Sequence, residues 1–404
     1  MTRAQRTRLV VLLGSLIALT PLTIDMYLPA LPAITADFAT SAASVQLTLT
    51  GTLAGLALGQ LLIGPLSDAF GRRIPLMAGI AVHVVASLLC VVAPNVGALG
   101  ALRVMQGLGI AATSVVAMAI VRDLFSGAAF ATLFSRLMLV IGAAPILAPT
   151  AGGAVLRWTD WRGVFVVLAA FGVLMIVVAA VALPETLPPH RRRRGGTSES
   201  LRTYGVLLRD RTFMGLVLVA GLAMASVFAY VSGSSFVFQG QYGLSEQEFG
   251  LAFGAGAVGL IAATQVNVRL LRRFTPQRIL VTGLAMGTTA GAALVVAAAS
   301  GIGGLATVLA SLWLLLASAG LVMPNAPALA MSGYGESAGT AAALLGSVQF
   351  GVGALAAPLV GVLGTGAVAM GVVVAGCMVA ATVVMLLVVR PSRLVVTEAV
   401  PAAA

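Results

Sequence analysis

The stretch "GPLSDAFGRR", residues 64–73, interrupts a chain that is otherwise rich in apolar residues. Its glycines permit a tight turn, and the same stretch carries one acid, Asp68, beside the paired arginines Arg72 and Arg73. The apolar runs on either side, 41–63 and 74–93, are each close to the length of about 20 residues that crosses a bilayer as a helix. The stretch therefore predicts a polar loop between two membrane-spanning helices.

Apolar runs of this length recur along the whole chain. The protein has 404 residues, of which 60% are hydrophobic and 9% are charged, and its mean hydropathy is +1.08, so a soluble fold is excluded. We predict an all-α integral membrane protein with 12 transmembrane helices. The predicted spans, numbered 1 to 12, are 9–30, 41–63, 74–93, 98–120, 133–156, 163–183, 212–235, 249–270, 279–299, 304–324, 339–361 and 366–389.

The basic residues predict the orientation of these spans. All 23 of them are arginine, and the net charge is +11. If both termini are cytoplasmic, all but three arginines fall in cytoplasmic segments; the exceptions are Arg157, Arg162 and the intramembrane Arg103. This distribution follows the positive-inside rule, so the charge indicates topology and not nucleic-acid binding.

The chain divides into two similar halves. Residues 185–211 are polar, contain the run Arg191 to Arg194, and are predicted to form a cytoplasmic basic linker between bundles 1–184 and 212–404. "GAAPILAPTAGG" in span 5 and "GVGALAAPLVG" in span 11 share four positions at a constant offset. We therefore expect two pseudo-symmetric six-helix bundles with a binding site between them near the membrane midplane.

Two ionisable residues stand inside predicted spans. Asp25 lies in the stretch "LTPLTIDMYLPALP", where an ionised carboxylate is penalised, so protonation competes with ionisation near neutral pH. Pro29 lacks the N–H that would bond to the carbonyl of Asp25, so the backbone beside the acid is loosened. A solvated position near the outer face is the alternative. These features make Asp25 a candidate proton carrier.

Arg103 lies at the start of span 4. A buried arginine there costs about 2.5 to 3.5 kcal/mol on insertion scales and needs a partner or a wet cavity, unless it extends to the interface. Further candidates for lining a substrate cavity are Gln46, Gln106, Ser226 and Tyr230. His83 in span 3 is expected to pack between helices.

Three stretches resemble the major facilitator superfamily. "GPLSDAFGRR" resembles its hallmark loop after span 2, although Ala69 departs from the pattern. The resemblance implies that Asp68 lies near a helix of the other half. It also implies a gating role for Gly64, Asp68, Gly71, Arg72 and Arg73. "RVMQG", residues 103–107, resembles the R-x-x-Q-G signature, whose arginine is implicated in proton coupling. "PLTIDMYLPALP" resembles the first helix of the Bcr/CflA drug-resistance branch.

A fourth stretch concerns the direction of transport. Residues 144–153, "APILAPTAGG", resemble the antiporter signature of the superfamily's exporters, with Pro149, Gly152 and Gly153 kept and alanine at Ala144 and Ala148. The resemblance implies drug:proton antiport by alternating access across a bacterial cytoplasmic membrane. A proton-coupled uptake symporter for a small metabolite is the alternative, and a non-transporting sensor is a third possibility.

The remaining function classes find little support in the sequence. The chain has no lysine and hence no Walker-type phosphate loop, so we expect an ion gradient to supply the energy. Titratable residues are too dispersed for an enzyme, and metal-ligand spacings are absent. The expected partners are a drug-like small molecule, protons and the lipid bilayer, with no cofactor, no metal and no nucleic acid.

Overall fold

The computed structural model describes residues 3–125, 127–192, 196–334 and 338–391, and every regular element in these ranges is a helix. Arg193 and Arg194 of the predicted linker lie outside the described residues. The α-helices are α1 (Arg3–Asp25), α2 (Leu31–Asp37), α3 (Ala42–Phe70), α4 (Arg73–Val91), α5 (Val96–Leu124), α6 (Gly127–Leu156), α7 (Trp161–Ala182), α8 (Gly196–Arg209), α9 (Arg211–Ser235), α10 (Glu246–Leu270), α11 (Pro276–Ser300), α12 (Gly304–Met331), α13 (Ala338–Leu363) and α14 (Ala367–Val384).

The helices confirm the prediction of an all-α membrane protein. Within the described residues, eleven helical segments are long and apolar enough to span a bilayer. The first combines α1 and α2, and α6 adds a shorter apolar run, Ala143–Leu156. Helix α8 is an addition to the prediction, because the polar linker was not expected to contain a helix.

Polar residues in short loops define where many of the helices begin. Asn95 accepts a hydrogen bond from the backbone N–H of Ala98 at 2.9 Å, and Ser41 accepts one from Ser44 at 3.2 Å. Ser245 and Glu248 form a reciprocal capping box at the start of α10. These side chains satisfy N–H groups that the first turn of a helix leaves free, so they stabilise the starts of α3, α5 and α10.

Helix packing follows the same pattern in the two halves. In the first half, α5 packs against α3 and α4, α4 also packs against α7, and α1 packs against α6. In the second half, α12 packs against α10 and α11, α11 also packs against α14, and α9 packs against α13. These pairs correspond one to one when the order of spans is shifted by six, which agrees with two pseudo-symmetric bundles. The boundaries 1–184, 185–211 and 212–404 stay a prediction.

The two halves contact each other mainly through two helix pairs, α3 with α13 and α6 with α10. The loop that carries Arg72 lies at one end of the bundle, which we call the Arg72 end. The opposite end, where α3 begins and α13 finishes, carries Gln46 and is called the Gln46 end. Helix α8 contacts α3 of the first half and α9 and α13 of the second. The candidate site lies between the halves, nearer the Gln46 end.

Candidate functional site

The regular backbone hydrogen bonding of the first helix is interrupted beside Asp25. Helix α1 ends at this residue, a short 3-10 turn covers Leu28–Ala30, and α2 starts at Leu31. Gly152 of α6 packs against the break so closely that a Cβ atom there would lie 1.9 Å from the carbonyl oxygen of Met26. The break agrees with the effect expected of Pro29, and the lack of a side chain at Gly152 lets α6 approach it.

The Asp25 carboxyl is almost fully enclosed, with 6% of the residue exposed. Among the described residues it forms no ion pair and no hydrogen bond. A carboxylate in such surroundings is readily protonated, because no charged or hydrogen-bonding partner stabilises its ionised form.

Arg103 is fully buried and reaches the same helix as Asp25 without touching its carboxyl. Its Nη1 atom donates to the carbonyl oxygen of Thr23 at 3.0 Å and to Oε1 of Gln106 at 2.8 Å. The guanidinium carbon lies 4.1 Å from the ring centroid of Tyr27 and 5.7 Å from that of Phe165. Aromatic faces thus take the place of a carboxylate partner in the described part of the chain.

Hydrogen bonds extend from Arg103 across the first half. Gln106 donates through Nε2 to the hydroxyl of Ser87 at 2.6 Å, and Tyr27 shares a 2.7 Å bond with Thr48. Arg103 and Tyr27 therefore connect α1, α3, α4 and α5. The sequence analysis identified Arg103 and Gln106 but missed Tyr27 and Ser87; the position of Tyr27 two residues after the acid is the only sequence signal for it.

Gln46 joins the two halves at its end of the bundle. The fully buried side chain donates through Nε2 to the carbonyl oxygen of Ser232 at 3.2 Å and accepts through Oε1 from the N–H of Gly361 at 2.8 Å. One turn further along α3, Thr50 donates to the carbonyl oxygen of Ala354 at 3.0 Å. Gln46 was predicted to line a cavity; the structure places it between the halves.

Helix α6 uses neighbouring glycines for two different contacts. Gly152 faces α1, whereas a Cβ atom on Gly153 would lie 2.8 Å from the carbonyl oxygen of Glu246 in α10. Pro149 is buried one turn earlier. Close approach at both glycines allows α6 to contact the Asp25 helix and the second half together, so the predicted antiporter residues lie where the halves meet.

The predicted gating loop forms a charged cluster at the Arg72 end. Arg72 pairs through Nη1 with Oδ1 of Asp68 at 2.5 Å and through Nε with Oδ2 of Asp123 at 2.8 Å. Gly71 has a φ of 90°, a conformation that favours glycine, and Gly64 has no neighbouring atom that a Cβ would meet. The resemblance implied a position for Asp68 near a helix of the other half; in the described residues Asp68 pairs with Arg72 of its own half.

Glu185 caps the helix that follows this loop. Its carboxylate accepts hydrogen bonds from the backbone N–H groups of Arg72 at 2.8 Å, Arg73 at 3.2 Å and Leu187 at 2.9 Å. Partial burial acts against the charged form, but the three N–H donors and Arg192 outweigh it and hold the pKa of Glu185 below its usual range. Glu185 therefore fixes the loop to the chain segment that follows α7.

The other cavity candidates are also buried. Tyr230 stacks on Phe253 with ring centroids 5.1 Å apart, and Ser226, one turn earlier on α9, is fully enclosed. His83 is buried against Gly109 and Gly172, as a packing residue is. Ser226, Tyr230 and His83 are thus enclosed by packed helices.

Sequence comparison places these motifs in a known context. Residues 13–358 match the family described as "Major Facilitator Superfamily". An uncharacterised transporter of this type, YdgK of Bacillus subtilis, is 40% identical over 372 residues, which are 91% of this chain and 92% of the relative. A bicyclomycin resistance protein homologue of Haemophilus influenzae is 32% identical over 86% of this chain and 87% of its own length. A chloramphenicol resistance protein of Pseudomonas aeruginosa is 32% identical over 85% of this chain and 81% of its own length.

The fold also matches that of solved transporters. A bacterial homologue of the human lysosomal transporter Spinster, crystallised in an inward-facing and occupied conformation, superposes with a TM-score of 0.76 over the full length of both chains. The sequences are 17% identical, so this likeness concerns the fold alone.

Proposed function

Because this chain belongs to the major facilitator superfamily, a family of membrane transporters, we propose that it exports antibiotic-like compounds across the bacterial cytoplasmic membrane in exchange for protons. The observation that carries the proposal is Asp25, an enclosed carboxyl without a partner at the break in the first span. Relatives named for bicyclomycin and chloramphenicol resistance support the substrate class. Retention of Pro149, Gly152 and Gly153 supports export over uptake.

The proposed cycle uses the two ends of the bundle alternately. The Arg72 end faces the cytoplasm in this proposal, since the loops there are rich in arginine. With Gln46 bonded to Ser232 and Gly361, the path from the outside is closed, and a compound enters the space between the halves from the cytoplasm. Its binding favours release of the Asp25 proton to the same side. Opening of the Gln46 end then lets the compound leave and a new proton bind.

Arg103 acts as a positioning residue in this cycle. Its bond to the carbonyl oxygen of Thr23 fixes the last turn of α1 just before the acid, so a movement of Arg103 reaches Asp25 through the backbone. Gln106 and Tyr27 hold the guanidinium on its other sides. The ion pair of Arg72 with Asp68 and Asp123 keeps the cytoplasmic loop folded while the halves move.

Transport in everted membrane vesicles tests the proposal. We expect vesicles that contain the protein to accumulate radiolabelled chloramphenicol or bicyclomycin when their interior is acidified, and a protonophore to abolish this accumulation. The Asp25→Asn variant, at matched expression, should accumulate no more than empty vesicles. Proton-driven accumulation that occurs only in right-side-out vesicles would favour the uptake symporter. Accumulation that persists both with the protonophore and in the Asp25→Asn variant would refute proton coupling through Asp25.

A further inference from the structure

The connection between α10 and α11, at the Arg72 end, concentrates positive charge. We call it the basic turn, and its four arginines are Arg269, Arg272, Arg273 and Arg278. The backbone N–H of Arg272 donates to the carbonyl oxygen of Arg269 at 3.2 Å, so the turn is compact. All four arginines are exposed, and none of them pairs with an acid among the described residues.

The basic turn corresponds to the predicted gating loop of the first half. The two stretches align at a constant offset in the sequence, through the pairs Phe70 with Phe274 and Leu76 with Leu280. At that offset Arg272 occupies the position of Asp68, so the second half carries a cation where the first half carries an acid. In the first half, Asp68 and Asp123 pair with Arg72. The counter-charge for Arg72 therefore lies within its own half.

The second half offers the basic turn no such acid in the part of the chain that the structure describes. Asp210, its described acid at this end, accepts hydrogen bonds from the backbone N–H groups of Thr212 at 2.8 Å and Phe213 at 3.0 Å. The hydroxyl of Tyr334 also donates to Asp210. The C-terminal dipole of α10 adds only about half a negative charge, which is small beside four arginines. The basic turn thus lacks a counter-charge within the described chain.

The basic turn lies where the lipid-facing surfaces of two helices end. On α10, the exposed Val266 lies on the same face as Arg269, which follows it by one turn. On α11, Arg278 lies on the same face as the exposed Val296, five turns further along the helix. The arginines at the ends of these surfaces are therefore placed at the level of lipid headgroups.

Apolar side chains are also exposed within the basic turn itself. Leu271 is 42% exposed and Phe274 is 47% exposed. The boundary between headgroups and acyl chains accommodates apolar and cationic side chains next to each other, which water alone does not favour. The composition of the basic turn therefore fits a membrane surface better than open solvent.

We propose that the basic turn binds the headgroups of anionic phospholipids, whose phosphates supply the negative charge that Asp68 and Asp123 supply in the first half. A guanidinium can donate two parallel hydrogen bonds to a phosphate, and anionic lipids attract arginines at the membrane surface. A zwitterionic lipid is a poorer partner, because its own cation compensates its phosphate. The proposal concerns lipid and not the transported compound, so it can fail or stand independently of export.

Native mass spectrometry of the full-length protein in detergent micelles measures its affinity for added dioleoylphosphatidylglycerol. The double variant Arg272→Gln/Arg273→Gln removes two exposed charges, so it is expected to fold, and we expect it to bind this lipid about tenfold or more weakly. Arg209→Gln/Arg211→Gln is the matched control, because it removes the same charge from exposed arginines at the same end but outside the basic turn. This control should bind the lipid as the intact protein does.

Two further probes identify the source of the phosphate. Dioleoylphosphatidylcholine should bind the intact protein about tenfold or more weakly than the anionic lipid does, and inorganic phosphate should not displace the anionic lipid. Equal weakening in the two double variants would show that the lipid responds to the net charge of this end, and would overturn the site. Equal binding of the two lipids, or displacement by inorganic phosphate, would overturn the preference for an anionic phospholipid.

Discussion

Replacing Gln46 by alanine should open the end of the bundle that its side chain now closes. The substitution removes two hydrogen bonds between a fully buried side chain and the backbone of the second half, at Ser232 and Gly361. Each such bond contributes about 1 kcal/mol net, so the closed arrangement should lose about 2 kcal/mol, or about 30-fold in its equilibrium with an open one. The bond to Gly361 depends on the lack of a side chain there, since a Cβ on Gly361 would lie 2.6 Å from the Gln46 oxygen.

Electron–electron double resonance measures this shift directly. With Cys90 and Cys377 replaced, spin labels at Arg157 and Thr365, exposed positions in the two halves, report the separation at the Gln46 end. We expect Gln46→Ala to raise the population of long distances relative to the intact protein. Gln60→Ala is the matched control, because Gln60 lies on the same helix and forms no hydrogen bond to the second half in the described residues. Identical distance distributions for Gln46→Ala and the intact protein would refute the role of Gln46 as a latch.

Two further predictions concern the close contact at α6 and the cap at the Arg72 end. Gly152→Ala places a Cβ against the Met26 carbonyl and should destabilise the protein by about 1 to 3 kcal/mol, measured as a lower midpoint of thermal unfolding, whereas Gly351→Ala, with no neighbour within 4 Å, should leave the midpoint nearly unchanged. Equal effects of the two would contradict the packing argument. Glu185 has a lowered pKa in the folded protein, so its contribution to stability is present above its ordinary pKa and is lost as the pH falls. The intact protein should therefore lose more thermal stability than Glu185→Gln between about pH 6 and about pH 3; parallel losses would show that the charge of Glu185 contributes nothing.

The fold followed from the sequence because membrane spans are long, apolar and separated by polar loops. The break beside Asp25 was also predictable, since Pro29 acts on its own helix and needs no knowledge of distant residues. The turn at Gly71 belongs to the same class of local features. The spans, the break and the turn each depend on a short stretch of chain, so they can be predicted without knowing how the helices pack against one another.

The partners of the buried polar residues could not be predicted in the same way. Gln46 and Gly361 are far apart in the chain, and only the crossing of α3 and α13 brings them into a hydrogen bond. Tyr27 lies over Arg103 because α1 and α5 are neighbours in the bundle, and a sequence pattern does not specify which aromatic face a guanidinium meets.

Proton release on substrate binding tests the central claim, that Asp25 carries the proton exchanged for the compound. Purified protein is kept in weakly buffered detergent solution at a pH low enough for Asp25 to be protonated before the compound is added. A transported antibiotic is then mixed in while a pH-sensitive dye reports free protons. The account predicts release of protons from the intact protein, in proportion to bound compound, and no release from Asp25→Asn although that variant still binds it. Equal proton release from both proteins would place the coupling site elsewhere and contradict the account.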